Sequence, residues 1–318
     1  NYAIMVLKEK QMKILVTGGT GMIGSAFNNV KTDHELVLYG SDQYDLRDPQ
    51  QVSDMLYHNP VDGVIHLAAR VGGVKGNTDY VADFFHDNIM INTNLLSACH
   101  EHGVPKVVSV LSTCVYPDVV TYPLTEDQMH KGSPHQSNFG YAYAKRMLDI
   151  HSKALRSQYG REYVCAIPNN LYGPNDNFDL DNGHVLPAII RKVWEAKQTG
   201  CAPTFWSDGS ALREFTYSSD FAKILIWMVE NYSKEEPLNI GNPREVSISS
   251  VVDMVCKSLE YDGPVSWDKS KPAGQFRKPS SNKNFLNLYG DFDYLSLGEG
   301  LDLTIKWFLD NYPNIRGI

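Results

Sequence analysis

The chain has 318 residues, 42% hydrophobic and 21% charged, the proportions of an ordinary globule with room for one large core or a large and a smaller domain. Its net charge of −8, with no Lys/Arg cluster longer than a pair, argues against nucleic acid or an anionic membrane as the main partner; an anionic ligand must be held locally, by chosen basic side chains and backbone amides. Cys99, Cys114, Cys165, Cys201 and Cys256 are odd in number and form no Cys-x-x-Cys pair, which excludes a disulfide or zinc framework and points to a reducing compartment, the cytoplasm.

Residues 1–11, "NYAIMVLKEKQ", carry an apolar run (Ala3 to Leu7) too short for a signal-peptide core and read as an extension before a domain that opens near Met12. No segment approaches the roughly 20 apolar residues that span a bilayer. "KILVTGG" (13–19), "ELVLYG" (35–40), "GVIHLAA" (63–69), "KVVSVLS" (106–112) and "YVCAIPNNLYG" (163–173) are short apolar runs ending in small or polar residues, each read as one buried strand. Helical patterns lie between them, among them "NIMINTNLLSACHEHG" and "YAYAKRMLDIHSKALRSQYG". Strand alternating with helix predicts an α/β fold with a doubly wound parallel sheet, a Rossmann arrangement. Beyond about residue 170 the alternation loosens. Leu186, Ile189, Ile190, Val193 and Trp194 predict an amphipathic helix closed near Gly200. Ser247 is a candidate cap for a second helix, and Ser296-x-x-Glu299 is a capping-box spacing for a third that Pro313 stops. The predicted layout is a nucleotide-binding domain over 12–170 and a smaller α/β substrate domain over 171–318, with the chain crossing back between them.

"TGGTGMIG" sets Gly18, Gly21 and Gly24 three apart directly after the first strand. Glycine there permits a tight turn, close approach of backbone to a pyrophosphate and close helix–strand packing; the amino terminus of the helix that follows faces the phosphates, and Met22 and Ile23 are expected cofactor contacts. The bland alternative is a purely structural turn. At the tip of the second strand stand Tyr39, Gly40 and Ser41, followed by Asp42; no arginine stands ready for a 2′-phosphate, and Asp45 and Leu46 can edge the adenine. Further on, Tyr141 and Lys145 lie four apart on one helical face. The ammonium is expected to lower the phenol's pKa from its usual value near 10 and to hydrogen-bond the nicotinamide ribose, so Lys145 is a cofactor contact too, while Ser112, at the end of the neighbouring strand, shares the substrate oxygen with Tyr141. Thr113 is expected on the opposite face of that strand, in a packing role. His100-x-His102 is no metal pair, since positions i and i+2 on a helix diverge, and no metal site is expected.

These motifs, with "HLAA" (66–69), "NLYGP" (170–174) and "REFTYSSD" (213–220), make the chain resemble the extended short-chain dehydrogenase/reductase family, which modifies sugar nucleotides; the match runs from Lys13 onward. "LSTCVYP", "PHQSNFGYAYAKR", "YGPNDNF" and "GHVLPAIIRK" resemble the branch that epimerises GDP-4-keto-6-deoxymannose at C3 and C5 and reduces its 4-ketone with NADPH to GDP-L-fucose. The resemblance implies that Tyr141 donates the proton in reduction, supported by Lys145 and Ser112, and that Cys114 and His184 are the acid/base pair of epimerisation. It implies NADP(H) contacts from Leu67, Ala68, Ala69, Pro168, Asn170 and Leu171, and GDP-sugar contacts from Asn170, Lys192, Trp206 and Arg213. It also implies a homodimer joined through helices of the nucleotide-binding domain.

Three departures accompany it. Lys192 stands where arginine is common, Ala273 where an aspartate is expected to meet the substrate, and the arginine after the second strand is missing. Taken alone, Cys114 reads as a small buried hydrophobe and His184 as a helix cap. The alternative functions are an epimerase/reductase of another GDP-4-keto-6-deoxy sugar, such as a heptose, which Ala273 leaves open, and a non-catalytic NAD(P)-binding sensor, whose kind usually loses the Tyr or Lys retained here. A dehydratase would carry an acid at the Cys114 position, and a simple 4-epimerase would need neither Cys114 nor His184.

Overall fold

The structure, a computed structural model, describes residues 11–271 and 276–318; the expected extension up to Lys10 and the Ala273 position lie outside them. The amino-terminal part runs β1 (Lys13–Thr17), α1 (Met22–Ala26), β2 (Glu35–Tyr39), α2 (Pro49–His58), β3 (Gly63–His66), α3 (Val74–Asp79), α4 (Val81–Glu101), β4 (Lys106–Val110), α5 (Phe139–Tyr159) and β5 (Glu162–Pro168). There follow β6 (Asn170–Tyr172), α6 (Val185–Thr199), β7 (Thr204–Trp206), β8 (Leu212–Tyr217), α7 (Ser218–Asn231) and β9 (Leu238–Ile240). The chain ends with β10 (Glu245–Ser247), α8 (Ile248–Ser258), β11 (Ser266–Asp268), α9 (Lys283–Tyr289) and α10 (Leu297–Asn311).

Six strands form one parallel sheet in the order β2-β1-β3-β4-β5-β9. Alternate residues of each strand feed opposite faces. Leu15, Val64, Val107 and Ile167 pack with Met55 of α2, Leu95 of α4 and Leu148 of α5. Ile14, Val16, Ile65, Val108 and Ala166 pack with Phe221, Leu225 and Val229 of α7. Covered on both faces, the strands are continuous apolar runs, which is how they read in the sequence. A third core, with Tyr172, Phe178, Ile190, Phe205, Val255 and Phe308, lies among α6, α8 and α10. Ser247 caps α8 through Ser250 N, and Ser296 and Glu299 close a capping box on α10, both as the sequence predicts.

Two strand expectations are corrected. Residues 163–173 are not one strand: β5 ends at Pro168, and β6 belongs to a separate sheet ordered β10-β8-β6. The break is Asn169, buried and held by Thr216, Asn242 and Glu214, so the chain leaves one sheet for the other on polar contacts from distant segments. The fourth strand stops at Val110, and Thr113–Val115 form a 3-10 turn rather than strand, so Thr113 has no strand face to occupy. No helix among the described residues is long and apolar enough to cross a membrane.

Candidate active site

Order reverses beside β1, which pairs with β2 on one side and β3 on the other; in such sheets ligands bind outside the carboxyl ends of the strands at this point. There the chain makes the glycine turn. Gly18 takes φ 69°, in the left-handed region, and its carbonyl accepts from Gly21 N at 3.0 Å. A Cβ on Gly24 would stand 2.3 Å from the Gly18 carbonyl oxygen, so only glycine lets α1 pack this close to the turn. This cradle, with Met22 and Ile23 at the amino end of α1 and Leu67, Ala68 and Ala69 half-buried beyond β3, suits a dinucleotide pyrophosphate.

Just past the tip of β2, Asp42 stands exposed, with its Oδ1 and the Thr20 hydroxyl of the glycine turn both beside Gly40. Tyr39 turns its hydroxyl to Asn59, and Asp45 is gripped by Arg47 at 2.7–3.2 Å. Arg47, which sequence reading passed over, reaches Asp87 as well, and Leu46 is buried in the core.

A polar chain joins the turn to α5. Asn92 Nδ2 donates to the Ala144 carbonyl (2.9 Å), so Asn92 Oδ1 accepts from His66 Nε2 (3.1 Å), leaving His66 Nδ1 to accept from the Thr17 hydroxyl (2.9 Å). Burial, and then Lys145, hold the His66 imidazole down to about 3, so it stays neutral and serves as a fixed strut.

Ser112, Cys114, Tyr141 and Lys145 come together past β4. Ser112 Oγ accepts from Cys114 N at 3.4 Å, and Arg146 pins the turn by donating to Val115 O (2.6 Å) and Gly132 O (2.7 Å). Lys145 Nζ donates to the Val110 carbonyl at 2.9 Å and lies 5.9 Å from the Tyr141 ring centroid. Burial pushes the Cys114 thiol up; the Ser112 hydrogen bond and then the Lys278 and Lys145 charges pull it back. Burial pulls the Lys145 ammonium down to about 8. The expected lowering of the Tyr141 phenol is corrected: burial first, and Cys114 second, hold it above its ordinary value. Tyr141 therefore stands as a protonated donor, which is the form a reduction needs.

His184 is the N-cap residue of α6, yet its side chain makes no capping bond. The turn before it is docked on the large domain through Gly73 N and Asn182 O (2.9 Å). His184 is exposed as a residue, yet the surrounding protein desolvates its ring; that, and then Arg316, lower its pKa. No direct contact joins His184 to Cys114 or Tyr141 among the bonds of the described residues.

The remaining predicted residues line the second sheet and its neighbours. Asn170 Nδ2 donates to the Glu214 carbonyl (2.8 Å), and Pro168 is buried beside half-buried Leu171. Lys192 Nζ donates to Thr204 O (2.9 Å) and lies 5.7 Å from the Phe205 ring centroid, so its ammonium is already partly engaged. Trp206 is 59% exposed, presenting a flat face. Arg213 NH1 donates to Leu212 O (2.6 Å).

Sequence reading missed Lys278. The residue is half-buried, burial lowers the pKa of its ammonium, Cys114, Arg213 and Asp118 are close enough to act on its charge, and among the described residues it has no hydrogen-bond or ion-pair partner. A desolvated, unpaired cation beside a second one, Arg213, suits an anion such as a diphosphate. Lys278 lies 65 residues beyond Arg213 by number, with no motif around it, so no local signal marks it.

Residues 14–241 match the NAD dependent epimerase/dehydratase family. The chain is 39% identical over 310 residues to GDP-L-fucose synthase of Dictyostelium discoideum, covering 95% of this chain and 97% of that protein. It is 36% identical over 318 residues to the probable GDP-L-fucose synthase of Drosophila melanogaster, covering 96% and 99%. The crystal structure of a GDP-L-fucose synthetase from Naegleria fowleri bound to NADP is similar with a TM-score of 0.90 and 37% identity, over 98% of this chain and 99% of that one.

Proposed function

The chain belongs to the NAD dependent epimerase/dehydratase family, and from that premise we propose that it epimerises GDP-4-keto-6-deoxymannose at C3 and C5 and reduces the 4-ketone with NADPH, giving GDP-L-fucose. The observation that carries the reading is the meeting of a thiol, Cys114, with the protonated Tyr141, Lys145 and Ser112 in one enclosed spot at the end of β4. A reductase alone has no use for the thiol. In this reading residues 12–170 chiefly hold the coenzyme and residues 171–318 chiefly the sugar nucleotide.

The ketone acidifies the hydrogens on both neighbouring carbons. Cys114 and His184 remove and deliver those protons from opposite sides of the ring, while Ser112 and Tyr141 hold the enolate oxygen. NADPH, when bound, supplies the hydride that reduces C4. Tyr141 then gives its proton to O4, and Lys145 stabilises the phenolate left behind. Incubation with GDP-4-keto-6-deoxymannose and NADPH should consume one NADPH per GDP-L-fucose formed. Reduction to an unepimerised sugar instead would refute the epimerase half.

Arg213 and Lys278, with Lys192 at the periphery, neutralise the diphosphate, and Trp206 stacks on the guanine. Arg213→Ala should raise the KM for the GDP-sugar about 10- to 100-fold and change NADPH affinity less than about twofold. Equal losses for both ligands would place Arg213 outside the substrate site.

The enzyme works as a homodimer. Tyr143, Met147 and Ile150 stand exposed at i, i+4 and i+7 on α5, near exposed Phe85 of α4, an apolar stripe that a second copy would cover. Sedimentation at twice the chain mass, lowered by Met147→Glu, is the expected result; a monomer at micromolar concentration contradicts it. All five cysteines are free, in keeping with cytoplasmic residence, which fractionation tests directly; recovery in a secretory compartment contradicts it.

A further inference from the structure

Glu214 is 3% exposed, and the mechanism above gives it no task. It follows Arg213 in β8, and everything its carboxylate touches is a donor. Ser280 N donates to Oε1 and Oε2 (3.1 and 3.2 Å), Ser280 Oγ donates to Oε2 (2.7 Å), and Asn169 Nδ2 donates to Oε2 (3.3 Å). Ser280 belongs to a strap, residues 276–281, that carries Lys278. Phe276 O accepts from Leu212 N (2.9 Å), Pro279 O accepts from Leu124 N (2.8 Å), and Ser281 N donates to Leu124 O (2.9 Å). Arg277 forks onto Glu245 of β10, directly opposite Glu214 in the ladder. Lys278 is thus the free side chain between two stitched flanks.

We propose that Glu214 is a positioning residue that fixes the Lys278 strap against β8, so that Lys278 and Arg213 converge on the substrate diphosphate. The inference rests on the GDP-sugar reading above. A carboxylate suits the place because it only accepts; an amide would aim its own donors at Ser280 or Asn169. The same carboxylate holds Asn169, at which the chain passes from one sheet to the other, and the Glu214 carbonyl holds Asn170.

The test is a double-mutant cycle read by calorimetric binding of GDP, with NADPH binding measured alongside. Lys278→Met and Glu214→Gln should each weaken GDP about 10- to 100-fold and leave NADPH affinity within about twofold. Because Glu214 acts through Lys278, the double variant should bind GDP no more than about threefold worse than Lys278→Met alone. Ser280→Ala, which removes one bond only, should cost about 3- to 10-fold, and that cost should vanish in the Lys278→Met background. If Glu214→Gln does not fold, the Ser280→Ala cycle decides. Multiplicative losses, or NADPH affinity falling in parallel, would overturn the proposal. Lys278→Met weakening GDP while Glu214→Gln binds as wild type overturns this inference alone. Unchanged GDP affinity in Lys278→Met overturns it together with the diphosphate assignment.

Discussion

Tyr141→Phe should lower the rate of ketone reduction about 10²- to 10⁴-fold while protons at C3 and C5 still exchange with solvent. The phenol is the enclosed donor at the end of β4, and burial keeps it protonated until an oxyanion forms beside it. Phenylalanine keeps the ring's packing and removes only the hydroxyl, and with it the proton donor. Cys114 and His184 are untouched by the change, so exchange continues, slowed only by the loss of one hydrogen bond to the enolate. NADPH affinity should stay near wild type, because Lys145 keeps its anchor on Val110. Reduction at the wild-type rate would show that another group protonates O4. Loss of exchange equal to the loss of reduction would show that the two chemistries are not separable in this pocket.

Cys114→Ser should do the opposite, with inversion falling about 10²- to 10⁴-fold and slow reduction persisting. A serine hydroxyl fits the space of the thiol but is far too weakly acidic to serve as the base. The thiol is buried, which disfavours its ionised form, yet the Ser112 hydroxyl and the two lysine ammoniums lean the other way. The variant's product should be an unepimerised or partly epimerised GDP-6-deoxyhexose. If it forms GDP-L-fucose at the wild-type rate, the thiol serves only in packing.

What the sequence disclosed was local. The spacing of Gly18, Gly21 and Gly24 is a property of one turn, and the four-residue step from Tyr141 to Lys145 is a property of one helix; each survives into the structure because nothing distant is needed to create it. The caps at Ser247 and Ser296 are of the same kind. The end of β5 was hidden because Asn169 is held by Thr216, Asn242 and Glu214, residues that only the second sheet brings near. The Tyr141 phenol was misjudged because helical spacing reports a neighbouring charge but not burial, and burial is the larger effect here. Lys278 was invisible for a related reason: a lone lysine becomes informative only once its partners are known to be absent and Arg213 to be close.

The central claim is that one pocket performs both inversion and reduction on a GDP-4-keto-6-deoxy sugar, and running the wild-type reaction with NADPH in deuterated water tests it most directly. The account predicts GDP-L-fucose carrying one deuterium at C3 and one at C5, with protium at C4 delivered from the coenzyme. NADPH oxidised to a product that carries no deuterium at C3 or C5 would contradict it.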